Sequence, residues 1–233
     1  MKKLNFIGIG GATNIELGGN CCYLKDNDNL LFIDMCESAT ERLEKEEVFK
    51  DVKNIYIAIT HTHFDHVAGL GVFIWYCNFY LNISPKIIYS NFKYKCHLKK
   101  LLKLTGVDKK YVEFIKDSSF KIDDLTLNMH PTTHTPKLQC FGIMFEDKNG
   151  KYYYTGDTND INYIKALCED ETVKTIYTEV ATETYDVHIK YDDIVNLDKE
   201  KLVLMHFDTM ELYSKAQKDG FEIACRKGCD IHE

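Results

Sequence analysis

Residues 55–60 read IYIAIT, uncharged and rich in β-branched side chains, and they run directly into HTHFDH at 61–66. An apolar run of that length, bounded by polar residues, predicts a buried strand. A buried strand that ends in three histidines and an aspartate must find partners for them, because an unpaired titratable group away from water is costly. His61 and His63 are two apart, so in extended backbone their side chains leave on the same side. Asp65 and His66 follow where the chain turns into a helix, and they can aim into the same small volume. Imidazole and carboxylate together form the donor set that a borderline divalent metal prefers. A polar loop that is histidine-rich by chance is the competing reading. It fits poorly with three of the chain's nine histidines standing at one strand end.

Other residues of the same chemistry also follow strand-like runs. His134 comes after LTLNMHPTT, Asp157 after KYYYTG, and His206 at the end of LVLM. Ligand sites in open sheets collect beyond the carboxyl ends of strands. Taken singly, each residue is an ordinary polar end-cap; together the seven side chains suit two metal ions sharing one carboxylate.

Strand-like runs lie at 4–9, 30–34, 55–60, 86–89, 125–130, 140–146, 151–156, 175–180, 202–207 and 221–225. Helical patterns fall near 38–49, 67–82, 92–104, 160–168 and 210–219. The segment DKNG predicts a hairpin between 140–146 and 151–156. No repeat or linker divides the chain, so residues 1–233 read as one domain. Strands followed twice by strand–helix alternation predict an α/β fold of two face-to-face sheets with helices outside.

Composition narrows the partners. The net charge is −7 and the pI about 5.7, which removes the global positive field that a long nucleic acid requires. Arg42 and Arg226 are the only arginines, so another cation has to supply the charge for an anionic substrate. Nine cysteines without a regular framework or a secretory leader predict reduced thiols and a cytoplasmic location. Cys225, Cys229 and His232 suggest a zinc knot, but without a fourth ligand they read as scattered small residues near a terminus. The most apolar stretch, residues 67–81, is too short to span a bilayer and carries Asn78. It is either a central core helix or a helix with one face against a partner subunit.

HTHFDH, then His134, then TGDT around Asp157, then LMHFD around His206, resembles the metallo-β-lactamase superfamily over nearly the whole chain. The resemblance implies an αββα sandwich with two divalent metal ions at its edge, zinc by default, with manganese or iron suited to the same donors. It assigns His61, His63 and His134 to the first ion and Asp65, His66 and His206 to the second, with Asp157 bridging them. Asp65 would also orient the attacking water.

The fold family does not fix a reaction. Common zinc β-lactamases have a cysteine in place of the bridging aspartate; lactonase- and thioesterase-like relatives keep the aspartate. The tRNase Z-like phosphodiesterases add a strand-end glutamate and a later histidine, and TIYTEVATETYDVH offers Glu179 and His188 in those places. Glu183 is a rival partner for His188. A carboxylate beside His188 favours imidazolium, which suits phosphoryl contact or protonation of the leaving oxygen. tRNA processing itself is disfavoured, because residues 135–156 leave no room for that family's long exosite arm. The stretch FIGIGGATNIELGGNCCYL, the YDVHI run and the CRK segment are similar to small homodimeric relatives that include the phage anti-Pycsar phosphodiesterases. This implies a cyclic mononucleotide substrate, a homodimer, and the host cytoplasm as the place of action if the chain is phage-encoded. Two other functions compete: an ester or thioester hydrolase on the same scaffold, and a module that binds a nucleotide without cleaving it.

Overall fold

The computed structural model describes residues 3–44, 47–122, 124–183 and 185–224. Cys225, Cys229 and His232 lie outside them. Thirteen strands form two sheets among the described residues. The first sheet has the order β1 (Asn5–Gly8), β2 (Cys21–Asp26), β3 (Asn29–Ile33), β4 (Asn54–Ala58), β5 (Lys86–Tyr89), β6 (Glu113–Lys116). The second contains β7 (Lys121–Ile122), β8 (Leu125–Thr132), β9 (Cys140–Asp147), β10 (Gly150–Tyr154), β11 (Val173–Glu179), β12 (Leu202–Met205) and β13 (Glu222–Ile223), in that spatial order.

Strand periodicity decides which side chain meets which layer. In β10, Tyr154 packs its ring against Phe6 of β1 between the sheets, while Tyr153 turns outward onto Tyr163. Tyr163 belongs to α5 (Ile161–Glu169), so the outer face of this sheet is covered by a helix. In β3, Phe32 likewise faces outward, edge-on to Phe73 of α3 (Leu70–Tyr76). Helices α1 (Ala39–Glu44) and α4 (Phe92–Leu104) pack on the first sheet, and α7 (Met210–Lys218) covers β13. The short α2 (Phe64–Val67) and α6 (Tyr191–Ile194) complete the set. The molecule is an αββα sandwich with one continuous hydrophobic core. No helix among the described residues is long and apolar enough to cross a membrane.

Two registers set up the functional end. Strands β3 and β4 run parallel with Ile33 opposite Ala58, so the residues after each emerge side by side. Strands β10, β11 and β12 are also parallel, with Tyr154 opposite Tyr177 and Glu179 opposite Met205. The sheets are joined at this end: Phe207 donates its N–H to the Ile9 carbonyl at 2.9 Å, and Gly11 donates to the Phe207 carbonyl at 2.8 Å. On the other side, Phe141 donates to the Thr60 carbonyl at 3.0 Å.

The helix expected over 67–82 differs in form. The chain makes α2, breaks at Ala68–Gly69, continues as α3, and ends in a wide turn over Cys77–Leu81 closed by Asn82 at φ 55°. At the break the Gly69 N–H donates to the Met35 carbonyl at 3.0 Å, and the contact is close. A Cβ on Gly69 would overlap the Cys36 carbonyl oxygen, so only glycine lets the helix approach the loop after β3. The Asn78 side chain donates to the Ile74 and Tyr111 carbonyls, both at 2.8 Å. Leu70, Phe73, Ile74 and Cys77 are buried, whereas Val72, Trp75, Phe79 and Tyr80 are exposed. Hence the apolar segment is a core helix on one side and an open apolar face on the other. Because Gly69 touches backbone, Gly69→Ala is expected to cost about 1–3 kcal/mol in urea unfolding.

Candidate metal centre

The HTHFDH motif straddles the end of β4 and the start of α2. His61 is buried behind Thr60, His63 sits in extended backbone ahead of the helix, and His66 is buried within it. His134 follows β8. Asp157 follows β10 across a turn in which Gly156 takes φ 58°, where a Cβ would press on the Phe141 carbonyl and Thr60. His206 follows β12 and holds φ 57°, an unusual value for a histidine and one found where a site dictates the backbone.

All seven residues predicted as ligands converge. His61, His63, His134 and Asp157 form one group, and Asp65, His66, Asp157 and His206 a second. In each group the donor atoms lie within 4.8 Å of one another. In the first, His63 Nδ1 is 2.9 Å from His61 Nε2 and 3.2 Å from His134 Nε2. Asp157 Oδ2 lies 3.8 Å from both Nε2 atoms. A tetrahedral ion with bonds of about 2.0–2.1 Å holds its ligands roughly 3.3 Å apart, so the cage has the size such an ion requires. In the second group, His66 Nε2 is 3.3 Å from Asp65 Oδ2 and 3.3 Å from Asp157 Oδ1. His206 Nε2 is 3.4 Å from Asp65 Oδ2 and 3.5 Å from Asp157 Oδ1. The two oxygens of Asp157 thus face different groups.

The fit to cations can be tested on the atoms left without partners. His66 Nε2 and Asp157 Oδ1 are fully buried and make no hydrogen bond. Two such orphans aimed into one space are what a cation would satisfy. Two ring nitrogens are held from behind. His66 Nδ1–H donates to Asp34 Oδ2 at 2.8 Å, and His134 Nδ1–H donates to the Val187 carbonyl at 2.7 Å. Each bond fixes the tautomer that leaves Nε2 free for a metal. The donors divide in protonation: burial pushes His66 and His206 down, but Asp157 and other neighbouring carboxylates outweigh it and push them up, whereas other donors are shifted the opposite way. Burial, with neighbouring imidazoles, pushes His61 and His63 down, so their rings are neutral. Asp157 is held well below the carboxylate range: burial pushes it up, but His206 and His66 outweigh that. Asp65 is likewise lowered against its burial by His206 and His66.

His188 belongs to a third cluster, with His134 and Glu179. Its Nδ1–H donates to Glu179 Oε2 at 2.6 Å, and the other Glu179 oxygen accepts from the Thr158 N–H at 2.5 Å. Glu179 is fully buried, and burial together with the Asp157 charge pushes its pKa up. Glu179 is therefore the partner of His188. Glu183 instead lines the cavity outside, its N–H donating to Asp208 Oδ2 at 3.2 Å. That cavity of about 570 Å³ opens over the centre and is bordered by His63, Asp65, Asp157, His188 and His206.

Asp34 is a part of the site that sequence reasoning missed. It is fully buried at φ 61° and accepts from the Thr60 N–H at 2.7 Å and the Thr60 hydroxyl at 2.8 Å, besides His66. Its only sequence signal is an aspartate closing the apolar run LLFI, which is also the mark of an ordinary strand end.

This αββα sandwich, with paired His/Asp groups at its strand ends, has the metallo-β-lactamase fold. The metallo-β-lactamase-fold protein YhfI from Bacillus subtilis superimposes with a TM-score of 0.74 over 94% of both chains at 16% identity. The short form of human tRNase Z gives 0.64 over 96% of both at 18% identity. The family is narrower still: the profile of the Anti-Pycsar protein Apyc1 family matches residues 2–229, and the chain belongs to it. An Anti-Pycsar protein Apyc1 from Bacillus phage BSP38 is 22% identical over 236 residues, 90% of each chain.

Removal of the Asp34 carboxylate tests how far the surrounding bonds hold the cage. Asp34→Ala is expected to weaken metal retention by about 10–100-fold in competition with a chromophoric chelator. Unchanged retention would make Asp34 a folding residue only.

Proposed function

We propose that this chain is a phosphodiesterase that opens cyclic mononucleotides, using two divalent ions, zinc by default. His61, His63 and His134 would hold one ion, Asp65, His66 and His206 the other, and Asp157 both. Ions bound there supply Lewis-acid charge for a phosphoryl group and lower the pKa of water. The observation that carries the reading is His188, backed by Glu179 at 2.6 Å and bordering the same cavity as the two groups. The Glu179 contact fixes Nδ1–H inward and leaves Nε2 for the substrate; with a second proton taken up at Nε2, the ring would donate that proton to a departing ribose oxygen. Asp65, on the cavity wall, would also orient the attacking water. Among the described residues the lining contains no lysine or arginine, so the anion's charge falls to the metal centre.

A small substrate is favoured over RNA. Residues 135–156 are largely taken up by the β9–β10 hairpin, with Gly150 paired to Asp147, and no arm extends from it. Family membership supports cyclic nucleotide signals in the cytoplasm of an infected cell as the target. A homodimer fits the open face of Val72, Trp75, Phe79 and Tyr80, for which the occupant would be a second copy of the chain.

The metal-loaded protein should hydrolyse 3′,5′-cyclic nucleotides, followed by chromatography of the monophosphate. His188→Ala should lower kcat by about 10²–10⁴-fold with metal content unchanged. Turnover of lactones or thioesters but of no phosphodiester would overturn the assignment, and tight binding of intact nucleotide would point to a binding module. Light scattering should give twice the chain mass for the wild type and the single-chain mass for Trp75→Glu; a monomeric wild type removes the dimer.

A further inference from the structure

The cavity over the metal centre has two aromatic rings in its lining, Phe64 and Tyr185, and both are largely solvent-exposed, at 85% and 83%. Aromatic rings of this size are ordinarily buried. They flank the cavity from different elements: Phe64 opens α2 directly after His63, and Tyr185 stands on the loop between β11 and α6.

The Tyr185 loop is held in place. Its neck is closed where Ala181 donates to the Ile189 carbonyl at 2.9 Å and Tyr191 donates to the Ala181 carbonyl at 3.1 Å. On one side, the Thr182 N–H donates to Asp208 Oδ2 at 2.8 Å, two residues beyond His206. On the other, Asn159 donates to the Asp186 carbonyl at 2.5 Å, two residues beyond Asp157, and His134 holds the Val187 carbonyl. Tyr185 and Asp186 take φ 46° and 58°, consecutive left-handed values that a bulky side chain rarely adopts. A strained, anchored backbone that exposes a ring at a cavity rim marks a functional position. Among the described residues the cavity wall carries no lysine or arginine, so affinity for the part of a substrate beyond the phosphate has to come from other surfaces.

We infer that Tyr185, with Phe64 of the same cavity lining, forms the surface on which the substrate's nucleobase stacks. This rests on the nucleotide reading above and deepens it. Stacking on an aromatic ring is tolerant of base identity, because every base has a π-face. The same loop carries His188 at its foot, so a base seated on Tyr185 and a phosphate at the metal centre would leave the ribose beside His188. Tyr185 is then a binding and positioning residue, outside the bond-breaking step.

The test titrates metal-loaded protein with AMP and with ribose 5-phosphate, which share a phosphate and differ by the base. In the wild type AMP should bind more tightly; Tyr185→Ala should shrink that advantage about ten-fold while ribose 5-phosphate binding stays put. Tyr185→Phe should retain it, and Phe64→Ala should lose part of it. With 3′,5′-cAMP as substrate, Tyr185→Ala should raise KM about ten-fold and leave kcat nearly unchanged, as loss of uniform binding does. An AMP to ribose 5-phosphate ratio untouched by Tyr185→Ala, or both ligands weakened alike, overturns the inference. A ratio that falls in a protein unable to open any cyclic nucleotide would leave the base site standing and remove the proposed reaction instead.

Discussion

A carboxylate sealed from solvent must have a partner for each oxygen, and Asp157 meets that demand by facing two different sets of imidazoles. Its Oδ2 addresses His61 and His134, and its Oδ1 addresses His66 and His206. Desolvation of such a group costs several kcal/mol unless opposite charge surrounds it. Asp157 can therefore stay buried only if His66 and His206, raised by it, stand close in the bare protein, or if cations stand between. The two arrangements demand nearly the same geometry. A fold that keeps these groups together is already organised for metal.

That organisation is a property of strand ends. Asp34 and His61 leave neighbouring parallel strands of one sheet; Asp157, Glu179 and His206 leave or close three neighbouring parallel strands of the other. The Gly11–Phe207 and Phe141–Thr60 backbone bonds lock the sheets together at this end. Because the two halves of each cage come from different sheets, sliding one sheet against the other would separate His66 from His206. Sandwich packing, through pairs such as Phe6 with Tyr154 and Tyr177, is thus part of the site's precision.

What the sequence made legible follows from how locally each feature is encoded. HTHFDH is local, and the strands around it are long and apolar, so the ligand residues and the sandwich could both be read. The strand β2 was missed because CCYLKD follows a glycine-rich stretch and has no alternation to mark it; it is buried over its first four residues. The edge strand β6, EFIK, is short and charged, as an edge should be, and shows no apolar run. Asp34 acts through Thr60 and through His66, thirty-two positions away, and nothing in its own neighbourhood announces those contacts. The choice between Glu179 and Glu183 was equally closed, since it depends on where β11 ends and the loop begins. Tyr185 could not be singled out among fifteen tyrosines, because its distinguishing marks are exposure and backbone angle, which exist only in three dimensions.

The scarcity of arginine then acquires a physical meaning. One of the two arginines, Arg42, is spent on the Ile7 carbonyl at 3.0 Å, and among the described residues no lysine or arginine lines the cavity over the centre. Asp65, Asp157, Glu183 and Asp208 give that cavity negative walls, which would repel a phosphate if the cages stayed empty. Cations held at the two groups would therefore change the sign of the field at one end of the cavity only. A monoanion that reaches the centre is drawn to that end alone, while a polyanion would have to lay its remaining charges along acidic walls. On the function proposed above, selection for a small, singly charged phosphodiester over a polynucleotide would follow from this asymmetry, before any contact with the base is counted.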